Sequence, residues 1–464
     1  MKITLCQIYV FLFLLGVFFI PFNSWEGIEF MGEFKRESSA IFFLFAFFFL
    51  FLEIIFKGKI KFPKDNVVTL LVLFIAWILI TTLFNLPTVL DSLYKKTPGL
   101  NRFIRQFLSL LISCGIFLSV YYFTIKTLET KDILRKIRKI LLYSLIVVFV
   151  YAFFEIIYIF SGFFPAYQIL KLFDYFPFTE FDMQNNGRIS SVAWESPALG
   201  TFLITISGWM FSYIITHKKI YKYIPLLFVL ILTYYSGSRT ALIVIVIQLI
   251  VFLFVYLNRK QLINLFSIFG IATLLLTISI FLTKPQDILF DLNKKIESLD
   301  FRGNLKKNIS NQSRFGIQYA NLMVFKEHPI TGVGFGQQGY HAINHYPIWA
   351  KKDNWEFKEM YLNKNEPSFP PGYNLYIRLL AETGIIGFFI FLTLFSTLFK
   401  RSYKLVKKNK GDINTLGIIL LVSFTGYALD FMQIDSVRIY GFWICIAILL
   451  ILQIKKNDTD SVIG

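Results

Sequence analysis

The sequence predicts an all-α, polytopic integral membrane protein of about twelve transmembrane helices. Three observations carry the class. Hydrophobic residues make up 56 % of the 464 residues and charged residues only 16 %, where a soluble chain carries roughly 25 % charge. The mean hydropathy is +0.60. Apolar runs of about 17–25 residues, the length that crosses a hydrocarbon core, recur from end to end.

In chain order, spans are expected at about 4–22, 40–56, 67–84, 107–123, 140–163, 198–216, 224–236, 240–257, 262–283, 375–399, 413–429 and 439–454. Each is an apolar run bounded by charge, proline or glycine. The first follows Lys2 and resembles a signal peptide, but it lacks small residues in a cleavage pattern and reads as an uncleaved helix. The seventh is short for a perpendicular span, so a break or a re-entrant turn is expected there.

Sidedness follows from the connections. With the N-terminus inside, the inner segments hold 24 Lys and Arg in 62 residues, against 22 in roughly 180 residues outside. That asymmetry puts both termini in the cytoplasm. It also explains the net charge of +18, which in a soluble chain would suggest nucleic acid; no basic stripe interleaved with exposed aromatics exists, and no nucleic-acid partner is expected. Cys6, Cys114 and Cys445 all lie inside apolar runs, so neither a disulfide framework nor a zinc site is implied.

The organisation divides into 1–283, nine spans with an outer segment at 164–197; 284–374, a long outer loop; and 375–464, three spans and a short tail. About ninety residues between the ninth and tenth spans is too much for a turn. Its polar stretch at 287–311 is followed by an amphipathic run at 315–326, and one or two surface helices are expected. No internal repeat is apparent, which weakens a transporter built from duplicated halves.

Chemistry-bearing residues collect at the predicted outer ends. Arg239 ends Ser236-Gly237-Ser238-Arg239, a tight turn between two apolar runs. An arginine at membrane depth is costly unless it meets an anion or water. Turn N–H groups, a helix start and a guanidinium together suit phosphate; the alternative is an arginine snorkelling to the interface. Arg314 precedes the amphipathic run, and beyond it stand Pro329 and alternate glycines at Gly332, Gly334 and Gly336, which permit a turn or a close approach.

Arg188 and Glu195 lie just before the sixth span, where Ser196 and Pro197 read as a helix start. A carboxylate there either favours the helix dipole or accepts a proton from an incoming hydroxyl. Asn374 reads as an N-cap beside Tyr373 at the mouth of the tenth span, and Arg378 and Glu382 are spaced to neutralise each other. His341 and His345, four apart, have no third ligand, and Glu180 with Asp182 read as solvated acids. No metal or cofactor is expected. The Asn308 and Asn311 glycosylation patterns are ascribed to an Asn-rich stretch.

Taken in order, the Ser-Gly-Ser-Arg turn, the segment from Arg314 through Pro329 to Gly332-Val-Gly-Phe-Gly, and Tyr373-Asn374-Leu-Tyr followed by Ala381-Glu-Thr-Gly-Ile-Ile-Gly resemble the O-antigen polymerase and O-antigen ligase superfamily, most strongly over about 225–400. The resemblance implies a metal-independent glycosyltransferase of lipopolysaccharide biosynthesis, GT-C-like in layout, in the bacterial inner membrane with its active site facing the periplasm. Donor and acceptor would be undecaprenyl-pyrophosphate-linked glycans in contact with membrane lipid, with a chain-length regulator and a flippase as candidate partners. It also implies that Arg239 and Arg314 hold the pyrophosphate. Ligases of this family typically carry His-Asn where this chain has Tyr373-Asn374, and a tyrosine of reference pKa about 10 is a poor base near neutrality. The polymerase branch is therefore expected: Glu195 as base or acceptor orienter, Arg188 assisting, and Tyr373, Asn374, Arg378, His341 and His345 as substrate-binding candidates. The alternatives are a ligase acting on lipid A-core or protein and, from another class, a polysaccharide flippase or transporter.

Overall fold

The computed structural model describes residues 4–58, 63–181, 187–262, 264 and 308–463, with side chains as far as Ile454. The ninth expected span, 262–283, the loop to 307 and Asp182 fall almost wholly outside these residues. The regular structure described is helical apart from a hairpin of two two-residue strands, Leu93–Tyr94 with Thr97–Pro98, and an isolated bridge between Ser24 and Thr179.

The helices are α1 (Leu5–Phe18), α2 (Ser38–Lys57), α3 (Asn66–Phe84), α4 (Leu86–Asp91), α5 (Gly99–Lys126), α6 (Thr130–Ser161), α7 (Phe164–Leu172), α8 (Ser196–Thr216), α9 (Ile224–Tyr235), α10 (Arg239–Tyr256), α11 (Ile309–Glu327), α12 (Gln338–Ala342), α13 (Leu375–Lys408), α14 (Gly411–Asp430) and α15 (Tyr440–Ile463). Eight of them, among the described residues, are long and apolar enough to cross a membrane. Three shorter apolar helices, Leu5–Phe18, Ile220–Tyr235 and Tyr440–Ile454, coincide with further expected spans. The chain is a multi-pass membrane protein.

Local signals account for several starts. Thr4 and Gln7 form a capping box on α1. Pro197 sits in the first turn of α8 with Glu195 as its N-cap. Asn374 caps α13, its Oδ1 accepting the Ile377 N–H at 3.1 Å, as expected.

Several helices are longer than expected, α6 and α13 among them. α6 begins at Thr130, ten residues before the apolar run, because the basic segment there is amphipathic. Its Arg138 lies over the Tyr213 ring at 4.3 Å and donates to Thr216 Oγ1 at 2.8 Å. α13 runs on to Lys408, and Arg401 near its end meets Asp65 at 2.7 Å.

The chain forms two compact units: 1–76, 104–252 and 389–464, and 77–103 with 253–388. In the first, α8 packs along α14, and Gln248 of α10 donates to the carbonyls of Ile204 and Val422, each at 3.1 Å. This one amide ties three apolar helices together where no water competes. In the second unit, α11 packs against the 333–361 segment around Ile317, Val324, Val333, Tyr346 and Phe357.

The 329–336 segment is laid onto α13 by backbone bonds. Val333 and Gly334 donate to Ala381 and Glu382, and Ile385 donates to Pro329, all at 2.9–3.0 Å. α13 breaks here at Gly384, with φ +63 and ψ −169. A side chain at Gly384 would collide with the Ile330 carbonyl, so both the backbone angle and the close approach require glycine. The two glycine motifs of this region thus serve each other's packing.

Candidate functional site

In the first unit the turn before α10 has the form the sequence suggested. Gly237 has φ +61, and Ser238 accepts the Ala241 N–H on its Oγ at 3.3 Å, capping the helix. The expected open backbone donors are not there, which is a correction. The Gly237 N–H goes to the Tyr234 carbonyl and the Ser238 N–H to Ser236 Oγ, both at 3.3 Å. A tight turn satisfies its own N–H groups, so the Arg239 guanidinium, on an exposed residue, remains the group of this turn suited to an anion.

Arg188 lies across the same turn. A Cβ on Gly237 would meet Arg188 Cγ, Cδ and Nε at 3.0–3.1 Å, and the Ile189 N–H donates to the Tyr235 carbonyl at 3.2 Å. Among the described residues no carboxylate forms an ion pair with Arg188. The turn also abuts α8, since a Cβ on Gly200 would stand 3.3 Å from Ser238 Oγ. The structure therefore brings Arg188, the Arg239 turn and the first turns of α8 together.

Glu155 of α6, absent from the sequence reading, holds this arrangement. It is 4 % exposed, and its two carboxyl oxygens accept the N–H groups of Ser190 at 3.0 Å and Ser191 at 2.9 Å. Ser191 has φ +55, strained for a residue with a side chain, and its hydroxyl donates to the Val148 carbonyl at 2.8 Å. The signal that would have found Glu155 is its place as the one carboxylate inside the 140–163 apolar run.

Glu195 follows this clamped segment. Its side chain does not cap α8; it lines a cavity of about 510 Å³, within the roughly 300–1,000 Å³ of small-ligand sites. Three stretches wall the cavity: the α1–α2 connection, the start of α8 and the α14–α15 connection. Arg36 sits over the Trp194 ring at 4.1 Å. The Trp194 N–H donates to Asn23 Oδ1 at 2.7 Å. Arg438 lies between Glu37 at 3.4 Å and Glu33 at 3.7 Å, and Glu33 also meets Arg105 at 3.0 Å. The Tyr440 hydroxyl donates to Glu37. Burial pushes the Glu37 carboxyl above the usual carboxylate range, and Glu33 adds to this, while Arg438 and Tyr440 pull it down. Arg188 and Arg239 lie outside the cavity lining. No motif marked Arg36, Glu37 or Arg438; the sequence shows only a charged cluster in a short connection.

The other candidates belong to the second unit. Arg314, on α11, stands over the Tyr373 ring at 5.1 Å. Tyr373 has φ +56, and its hydroxyl is bonded to that of Tyr361. Arg378 and Glu382 form the expected pair, Nε to Oε1 at 3.1 Å, with exposures of 5 % and 0 %. His341 and His345 are placed against the end of α11, in α12 and the short turn after it. His345 Nε2 is 3.1 Å from Glu327 Oε2. The His341 ring is 5.8 Å from His328, and burial first, then His328, holds its pKa below the ordinary value. Among the described residues no cluster of three or more His, Cys, Asp or Glu is arranged to hold a metal ion.

These features define a multi-pass helical membrane protein whose helix-connecting segments carry paired arginines and a charged, aromatic-lined cavity. Residues 224–392 match the family model described as O-antigen ligase, which supports membership of the O-antigen polymerase and ligase superfamily. That family implies a membrane glycosyltransferase-like enzyme. The match takes in Arg239, Arg314 and the glycine segments and begins beyond Arg188 and Glu195. No curated protein matches the chain.

Proposed function

We propose that this protein is an O-antigen polymerase of the bacterial inner membrane, joining undecaprenyl-pyrophosphate-linked repeat units at the periplasmic face without a metal. A hydroxyl of the acceptor glycan attacks the anomeric carbon of the donor. The bond from that carbon to the pyrophosphate oxygen breaks, and the proton passes to Glu195 as general base. Negative charge developing on the leaving pyrophosphate is met by Arg239, with Arg188 beside its turn; the family resemblance assigns the same role to Arg314. A single in-line displacement of this kind inverts the anomeric centre.

The observation that carries the reading is Glu195, whose carboxylate makes no capping bond to its own helix and which lines a cavity. Tyr373 favours polymerase over ligase, because its hydroxyl is engaged with Tyr361 and its ring lies under Arg314, an arrangement suited to holding a guanidinium. The test is turnover of the purified protein with its lipid-linked repeat unit alone, with and without a chelator. A chelator-resistant ladder of longer lipid-linked glycans is expected. Arg239→Ala, Arg314→Ala and Glu195→Gln should each slow it, on the order of 10²–10³-fold. A product that forms only on adding a core lipid would make the protein a ligase, and no glycan product would favour transport.

A further inference from the structure

We propose that the 510 Å³ cavity is a saccharide subsite that takes the terminal sugar of the acceptor glycan, recognised by Arg36, Trp194 and the Glu37–Arg438–Tyr440 chain. The inference rests on the glycosyl-transfer reading and adds to it the place and the groups of acceptor recognition. Charge decides what kind of ligand fits. The lining carries Lys35, Arg36 and Arg438 against Glu33, Glu37 and Glu195, three cations facing three carboxylates. Arg438 is already held between two of those carboxylates. A phosphate group only accepts hydrogen bonds and would meet three like charges here. Sugar hydroxyls both donate and accept, and so can use guanidinium and carboxylate side by side.

Shape points the same way. Trp194 is 49 % exposed and, with Pro197, Phe202 and Tyr440, supplies apolar surface for the C–H faces of a pyranose. Arg36, of the α1–α2 connection, lies over the Trp194 ring and supplies a planar array of donors beside it. Glu195 lies on the wall that carries Trp194. A sugar lodged here presents its hydroxyls to the proposed base, whereas a donor sugar must stay with its pyrophosphate, and Arg188 and Arg239 lie outside this lining.

The probe is the free oligosaccharide released by mild acid from the cell's own lipid-linked repeat unit, titrated calorimetrically into purified full-length protein. Wild type should bind it. Arg36→Ala and Trp194→Ala should weaken binding at least tenfold and raise the acceptor KM with kcat changed less than threefold. Arg36→Lys and Trp194→Phe, with unchanged unfolding temperatures, control for folding and should bind at intermediate strength. Inorganic pyrophosphate should not compete, and Arg239→Ala should keep wild-type affinity. Absence of binding by wild type, unaltered binding by both alanine variants, or displacement by pyrophosphate would overturn the subsite. The two readings fail separately. A ladder that forms with unchanged acceptor KM in the alanine variants leaves polymerisation standing and removes the subsite. Variant-sensitive oligosaccharide binding without any glycan product keeps the subsite and removes the transfer reaction.

Discussion

Replacing Glu155 by alanine should damage the enzyme without touching substrate. Its carboxyl oxygens accept two backbone N–H groups, at 3.0 and 2.9 Å, in a setting where Ser190 and Ser191 are each 3 % exposed. An orphaned buried N–H costs roughly 1–3 kcal/mol, so the variant loses about 2–6 kcal/mol if the segment stays in place. The alternative is for the segment to move, and Ser191, held at φ +55, relaxes as it does so. If it moves, the 188–195 stretch loses its register, and with it the placement of Arg188 and Glu195. A displacement of about 1 Å can cost on the order of 10²-fold in rate. Thermal unfolding in detergent should therefore show a lowered midpoint, and ladder formation should slow by about that factor. Glu155→Gln keeps one acceptor oxygen but turns an NH₂ towards the second N–H, so it should fall between wild type and alanine. Wild-type midpoint and turnover in Glu155→Ala would refute the reasoning.

Three further predictions concern the second unit. Arg378→Ala strands Glu382 and should destabilise by roughly 3–5 kcal/mol, whereas the double change Arg378→Met with Glu382→Leu should recover stability; urea or thermal unfolding distinguishes this from a substrate-binding role, which the double variant would not restore. Gly384→Ala places a Cβ against the Ile330 carbonyl at φ +63, and a lowered yield of folded protein by size-exclusion chromatography is expected. His341 has a folded-state pKa below its unfolded one, so its contribution to stability is present above the unfolded pKa of about 6.5 and is lost as pH falls below it. The unfolding midpoint should drop from pH 7 to pH 5, and His341→Gln should flatten that slope.

Features set by neighbours in the chain were legible in the sequence. Ser196 and Pro197 start α8, Asn374 caps α13, and Gly237 turns the chain before Arg239, because punctuation of this sort acts within a few residues. Eleven of the twelve expected spans coincide with helices of the described residues, since length and apolarity are local properties too. What was not legible depends on distant partners. The role of Glu155 is set by backbone groups 35 and 36 residues away. The extension of α6 needs Tyr213 and Thr216 to cover Arg138, and the break at Gly384 exists because the 329–333 strand of backbone lies against it. Arg36 and Arg438 carried no motif; their meaning comes from the cavity, which three separated connections build. The turn before α10 shows a different limit, for its residue types suggested free donors that its own geometry uses up.

The bond between Tyr440 and Glu37 joins residues 403 positions apart, and Arg438 closes the same wall from the same late segment. A chain emerging from the ribosome at about 5–20 residues per second therefore carries Arg36 and then Glu195 long before the third wall is made. Until α15 has entered the bilayer, Glu37 lacks both its cation and its hydroxyl donor, and the cavity stands open on one side. Completion of the pocket waits on synthesis of residues 438–440. Translation products that stop before residue 434 would then lack this closing wall, and quality control at the membrane would meet them with a polar, half-built cleft.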